Sequence, residues 1–290
     1  MARVTVPGVR TTKVGSGSEP LAMVTAYDAP GARIAEAAGV DIILVGDSVA
    51  MVVLGYDTTL SVDVADMAHH TAAVARADTR CLVVADMPWM SYHVSPGDTV
   101  NNAAALIRAG ASAVKLEGGT KRVPMVTAVI DAEIPVMGHI GLTPQSVHAF
   151  GGFKVQGRSV DAAKALVDDA LALEEAGCFA IVLEGVPTEV AELVTSSVRV
   201  PTIGIGAGPH CDGQVLVFHD LLGLEDRIVP KFVRRYAELK ADAVSAMGAW
   251  VADVRSQQFP ADDESYHLAA DEARLLDAPR RATDPLERPA

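Results

Sequence analysis

Three stretches decide the architecture: AAGVDIILVGD (Ala37 to Asp47), RAGASAVKLEG (Arg108 to Gly118) and EAGCFAIVLEG (Glu175 to Gly185). Each reads as a helix end, a turn glycine, and a short β-branched run that finishes in a carboxylate. Gly39, Gly110 and Gly177 fall where a helix ends in the left-handed region, which glycine enters at little cost. Asp47, Glu117 and Glu184 are 70 and 67 residues apart, about two strand–helix units each. They therefore close alternate strands on one rim.

Working outward, the same grammar recurs. Strands are predicted at 21–25, 41–46, 80–85, 112–117, 134–139, 179–184, 201–205 and 215–219. Helices are predicted between them at 30–38, 63–76, 98–109, 122–131, 160–176 and 188–197, with Asp63 and Asp98 suited to helix starts. Strand–helix alternation implies a parallel sheet with helical crossovers. Eight strands without an opening G-x-G-x-x-G predict an α/β fold of the (β/α)8 TIM-barrel class rather than a dinucleotide-binding sheet.

The expected organisation is one catalytic barrel domain over residues 1–267, including an N-terminal arm, and a disordered tail over 268–290. A long terminal helix is expected at 231–257. The 290 residues suit one barrel, which commonly takes about 250. Half the chain is apolar and few residues are aromatic, as a sheet covered on both faces requires.

The net charge of −13 argues against a nucleic-acid partner. No apolar run is long enough to span a bilayer, and the first twenty residues lack the apolar centre of a signal peptide. The expected location is the cytoplasm. Cys81, Cys178 and Cys211 have no C-x-x-C spacing and read as reduced thiols without a chemical role.

In such barrels the catalytic residues sit at the C-terminal ends of the strands. LVGDS, VVADMP and AVKLEGG place Asp47, Asp86 and Glu117 on neighbouring strands. Three adjacent carboxylates repel one another without a cation, and an all-oxygen donor set selects Mg²⁺. The plainer alternative for any one aspartate is a helix cap.

Lys115 lies two residues before Glu117 on one strand, so both point into the barrel. Its expected role is to hold an anion; the carboxylates around it disfavour a Schiff base. His139 ends the fifth strand as a hydrogen-bonding partner. Glu184 stands across the rim after an apolar run, where partial desolvation suits a general base. A divalent cation on one side and a base on the other suit enolisation of a 2-oxo acid.

Gly204–Gly208 (GIGAG) either donates N–H groups to an anion or makes a tight turn. Phe150–Arg158 is either a lid or a solvated loop. His69 and His70 read as structural, and His219-Asp220 ends the eighth strand with no role assigned.

TAYDAPGARIAEAAGVDIILVGDS, HIGLTPQSVHAFGGFKVQGR, VLEGVP, IGIGAG and DGQVLVFHD resemble the ketopantoate hydroxymethyltransferase family over about residues 20–267. The resemblance implies a (β/α)8 barrel, Mg²⁺, and a decamer of two pentameric rings. It also implies transfer of a one-carbon unit from 5,10-methylenetetrahydrofolate to 3-methyl-2-oxobutanoate, giving ketopantoate.

It implies metal ligation by Asp47, Asp86 and Glu117, and substrate contacts from Asp47, Ser48, Asp86 and Lys115. Glu184 is the implied base and His139 its polar partner. The family usually carries a cysteine after the base, where this chain has Gly185.

The rival reading is a Mg²⁺-dependent carbon–carbon lyase or mutase of the isocitrate lyase and phosphoenolpyruvate mutase type. Those enzymes usually supply a catalytic cysteine in a K-K-C-G-H-type loop, which this sequence lacks. A non-catalytic binding barrel is the other, and the complete set of polar rim residues argues against it.

Overall fold

Hydrogen bonding runs through eight parallel strands and back to the first, closing the sheet into a barrel. The computed structural model describes residues 2–225, 227 and 230–276. The strands are β1 Leu21–Thr25, β2 Ile42–Val45, β3 Leu82–Asp86, β4 Ala113–Glu117, β5 Val136–Gly141, β6 Ala180–Glu184, β7 Thr202–Ile205 and β8 Gly213–Leu216. Pairing of β1 with both β2 and β8 completes the circle.

The period of two divides each strand between two cores. Ile42, Leu44, Leu82, Val84, Ala113, Met137, Ala180, Val182, Ile203 and Val215 pack together inside the barrel. Ile43, Val45, Val83, Ala85, Val114, Leu116, Ile181 and Leu183 join the core shared with the helices. Continuing the inward set toward the C-terminal ends gives Asp86, Lys115, Glu117, His139 and Glu184. Strand parity thus puts the polar residues at the mouth and the apolar ones beneath them.

The helices follow the predicted spans closely. Gly39, Gly110 and Gly177 have φ of 87°, 111° and 102°, the left-handed geometry expected after each helix end. Asp63 caps Val64–Ala75 in a capping box with Asp66. The cap of Pro96–Arg108 is Ser95, with Asp98 in the first turn accepting its hydroxyl at 2.7 Å.

The N-terminal arm seals the base. Val9, in the helix Val6–Arg10, belongs to the inner core. Asp212 is buried and accepts from Lys13 Nζ at 2.7 Å, Val14 N at 3.0 Å and Thr202 N at 3.0 Å. This clamp holds the arm to β7 and the loop entering β8.

Two expectations change. β8 ends at Leu216, and His219-Asp220 lies on the short helix Phe218–Leu221 rather than at a strand end. The Phe218 N–H donates to Thr25 Oγ1 at 2.9 Å, which turns the chain out of the sheet. The terminal helix starts at Leu239, not 231, because Tyr236 N–H donates to Leu221 O at 2.9 Å and holds that approach in turns.

The chain divides into two compact units, Met1–Glu238 and Leu239–Ala290. The second contains the helix Leu239–Arg255 and the helix Ala270–Leu276. The latter begins with Asp271 and Glu272 and carries Arg274 in its last turn, complementing its dipole. The tail expected to be disordered, 268–290, contains all of this helix; its remainder, 277–290, lies outside the described residues.

Candidate active site

Asp86, Lys115, Glu117 and His139 are brought together in one buried cluster. The register sets Asp86 beside Lys115 and Glu117 beside His139 on adjacent strands. Lys115 Nζ lies 2.9 Å from Asp86 Oδ1 and 3.1 Å from His139 Nδ1. His139 Nδ1 is 3.5 Å from Glu117 Oε1, and its Nε2 is 3.2 Å from Glu184 Oε2. His139 therefore stands between the carboxylate face and the predicted base. Glu184 keeps 16% of its side chain exposed, against 3% for Glu117.

Asp47 follows β2 and joins the same face from above. Its backbone N–H donates to Asp86 Oδ2 at 3.0 Å, and its Oδ2 accepts from Gln145 Nε2 at 2.9 Å. Ser48 Oγ is 2.9 Å from the Tyr27 hydroxyl. Every predicted site residue thus lies at the mouth.

Two residues that sequence reasoning missed complete the cluster. Gln145 is buried in the turn Pro144–Ser146, and its own N–H donates to Glu117 Oε2 at 3.0 Å. Tyr92 is buried in the loop after β3 and donates to Gln145 Oε1 at 2.5 Å. The only sequence signal was a glutamine immediately after Pro144, inside the quoted HIGLTPQS motif.

Burial and mutual repulsion leave the carboxylates short of positive charge. Burial, then Asp86 and Glu117, raise the Asp47 carboxyl well above the usual carboxylate range. Burial also raises Asp86, against the pull of Lys115. Burial pushes Glu117 up, while a charged His139, then Lys115 and the Gln145 N–H, pull it below the usual range; beside a neutral ring the pull comes from Lys115 and the Gln145 N–H alone. Burial would discharge Lys115, yet Asp86, Glu117 and Asp47 raise its pKa and keep it an ammonium.

Two influences compete at His139. Burial and the Lys115 charge disfavour the imidazolium, while Glu117 and Glu184 favour it and raise the pKa to about 9. An imidazolium, however, would set an N–H against the Lys115 ammonium at 3.1 Å, donor against donor. The geometry therefore favours the neutral ring, with Nδ1 accepting from Lys115 and the Nε2 proton facing Glu184.

Among the described residues, no three His, Cys, Asp or Glu side chains close tightly enough to form a ligand group unaided. Two observations nonetheless fit a cation. Asp86 Oδ1 is buried and, among the described residues, meets the Lys115 ammonium alone, at 2.9 Å. Asp47, next to it, is pushed up by burial and by the Asp86 and Glu117 charges, against the pull of Lys115 and Gln145. A hard divalent ion suits such donors.

A sequence profile of the family described as ketopantoate hydroxymethyltransferase matches residues 3–262. The chain belongs to that family. It is 54% identical over 275 residues to 3-methyl-2-oxobutanoate hydroxymethyltransferase of Syntrophobacter fumaroxidans, covering 94% of this chain and 96% of that one. It is 55% identical over 268 residues to 3-methyl-2-oxobutanoate hydroxymethyltransferase 2 of Bradyrhizobium diazoefficiens, covering 92% and 91%. The family assignment makes this chain an enzyme.

Among solved structures, 2,3-dimethylmalate lyase, of the PEP mutase/isocitrate lyase superfamily, matches with a TM-score of 0.57 at 17% identity, covering 96% of this chain and 99% of that one. Phosphonopyruvate hydrolase in complex with oxalate and Mg²⁺ matches with a TM-score of 0.58 at 16% identity, covering 94% and 95%. At these identities the likeness concerns the fold.

Gly185, next to the proposed base, has φ of 55°, and a Cβ there would come within 3.1 Å of Leu142 Cβ. Glycine suits this turn better than a larger residue would.

Local partners hold the remaining motifs in place. Gly206 and Gly208 have positive φ, and Gly208 O accepts from Gln214 Nε2 at 3.0 Å, so GIGAG makes a tight turn. The 150–158 loop is tied to the turn after β6 by Gln156 N–H to Gly185 O at 2.9 Å. His70 Nδ1 bonds Tyr27 O at 2.8 Å. Among the described residues, no helix is long and apolar enough to cross a membrane.

Proposed function

We propose that the chain transfers the one-carbon unit of 5,10-methylenetetrahydrofolate to 3-methyl-2-oxobutanoate, forming ketopantoate for pantothenate biosynthesis. The observation that carries this reading is the opposition of Glu184 to the Asp47–Asp86–Glu117 face across His139, in a chain of this family. Mg²⁺ held by Asp47, Asp86 and Glu117 would supply Lewis-acid polarisation of the oxo acid's carbonyl.

The protein's own groups perform the rest. Lys115 and Ser48 bind the substrate carboxylate, with Asp47 and Asp86 completing the pocket wall. Lys115 stays charged in this buried site because three carboxylates surround it. Glu184 takes the proton from C3, and the Nε2 proton of neutral His139 steadies the carboxylate between turns of the cycle. Water adds to the methylene carbon of the folate and both of its C–N bonds break, releasing tetrahydrofolate and formaldehyde. C3 then adds to the formaldehyde carbon, and the resulting alkoxide takes back the proton held by Glu184 to give the hydroxymethyl group. The apolar layer of Leu44, Val84 and Val182 closes the barrel below and keeps bulk water from that side.

The lyase alternative usually supplies a catalytic cysteine at the mouth. All three cysteines are buried, and Cys81, Cys178 and Cys211 each precede the N-terminal end of a strand. Homo-oligomeric assembly as a decamer is proposed from the family resemblance, and the cytoplasmic location expected from the sequence is proposed with it. The test is incubation of the protein with the oxo acid, methylenetetrahydrofolate and Mg²⁺. Ketopantoate is the expected product by NMR; its absence with folded protein contradicts the reading.

A further inference from the structure

Gln145 has every polar atom of its amide engaged, and the directions of those bonds are not free. Glu117 N–H donates to the Tyr92 hydroxyl oxygen at 3.3 Å, so the one Tyr92 proton goes to Gln145 Oε1 at 2.5 Å. Burial first, and Glu117 next, hold the Tyr92 hydroxyl well above its ordinary pKa, so it remains a donor. Oε1 being the acceptor, Nε2 must face the other way. It donates to Asp47 Oδ2 at 2.9 Å and to Met87 O at 3.0 Å. The backbone N–H of the same residue donates to Glu117 Oε2 at 3.0 Å. One buried residue thus grips carboxylates presented by β2 and β4 and ties both to the chain leaving β3.

We infer that Gln145 is the positioning residue of the carboxylate face, setting Asp47 and Glu117 in place for a divalent cation, with Tyr92 fixing the orientation of its amide. This rests on the reading of Asp47 and Glu117 as cation ligands. Partners that orient ligands in this way typically change metal affinity by about ten- to a hundredfold when lost. Arg122 lies over the Tyr92 ring at 5.6 Å from its centroid and packs the tyrosine in place.

The test is calorimetric titration of Mg²⁺ into the purified protein without substrates, for wild type, Q145L, Y92F and D47N, each with its thermal transition measured. Q145L is expected to bind Mg²⁺ about ten- to a hundredfold more weakly. Y92F, which keeps the glutamine but frees its amide, should weaken binding about two- to tenfold. Wild-type affinity in the folded fraction of both Q145L and Y92F, with D47N binding lost, would overturn the inference and leave the site assignment standing. Wild-type affinity in D47N would instead remove the cation-ligand reading on which it rests. Should Q145L fail to fold, Y92F decides: weakened binding supports the role and unchanged binding overturns it.

Discussion

His139 Nε2 lies 3.2 Å from Glu184 Oε2, while the other nitrogen of the same ring accepts from Lys115 at 3.1 Å. The imidazole thus separates an anion-binding lysine from the proposed base and gives each a defined partner. Glu184 is the acidic side chain with residual exposure, whereas Asp86 is held by Lys115 and the Asp47 N–H and Glu117 by the Gln145 N–H.

Glu184→Gln follows from this division. It keeps the shape and removes the base, so C3 proton exchange of the oxo acid should fall by about 10²–10⁴-fold. Oxo acid binding, followed by calorimetry in the same samples, should persist. Exchange at the wild-type rate would remove Glu184 from the role.

Lys115→Met leaves Asp86 buried without its ion pair. The expected cost is about 3–5 kcal/mol of folding stability, read from urea unfolding, together with loss of oxo acid binding. Added Mg²⁺ should recover part of the stability, since a cation near Asp86 offsets the same charge. Unchanged stability would show that Lys115 does not balance this face.

Gly141→Ala tests the backbone beside the base. Gly141 pairs with Glu184, has φ of 94°, and a Cβ there would come 2.3 Å from the Glu184 carbonyl oxygen. The positive φ alone costs about 1–3 kcal/mol, and relief of the close approach must shift β6. Both the melting temperature and kcat are expected to fall. A variant with wild-type kcat would show that β6 tolerates the displacement.

Lys13→Met separates stability from chemistry. Lys13 donates to Asp212 at the opposite end of the barrel, and Asp212 also accepts from Val14 and Thr202. Loss of this charged hydrogen bond should cost about 1.5–3 kcal/mol in urea unfolding while C3 exchange at 25 °C stays unchanged. A loss of exchange in the folded variant would mean that the base of the barrel communicates with the mouth.

The barrel was legible because its signals are local and repeat. β3, β4 and β6 end in Asp86, Glu117 and Glu184, β5 carries His139 near its end, and Gly39, Gly110 and Gly177 mark the helix exits before β2, β4 and β6. Period-two alternation then sufficed to put Lys115 and Glu117 on one face. Gln145 and Tyr92 were not legible, because each sits in a loop without periodicity and its value depends on a partner far along the chain. Gln145 meets Asp47 across 98 residues and Tyr92 across 53.

His219 and Asp220 were misplaced for a related reason. LVFHD reads as a strand end until the Phe218 N–H finds Thr25, a contact 193 residues away. The late start of the terminal helix likewise depends on the Tyr236–Leu221 bond, which no local pattern announces.

The central claim is enolisation at the mouth formed by Asp47, Asp86, Lys115, Glu117, His139 and Glu184. The most direct test is proton NMR of 3-methyl-2-oxobutanoate in D₂O with the purified protein, in Mg²⁺ or in excess chelator, with tetrahydrofolate present and absent. Mg²⁺-dependent loss of the C3 methine signal, abolished in Glu184→Gln, is the predicted result. A methine signal that persists in every arm, with folded protein and bound Mg²⁺, would contradict the account.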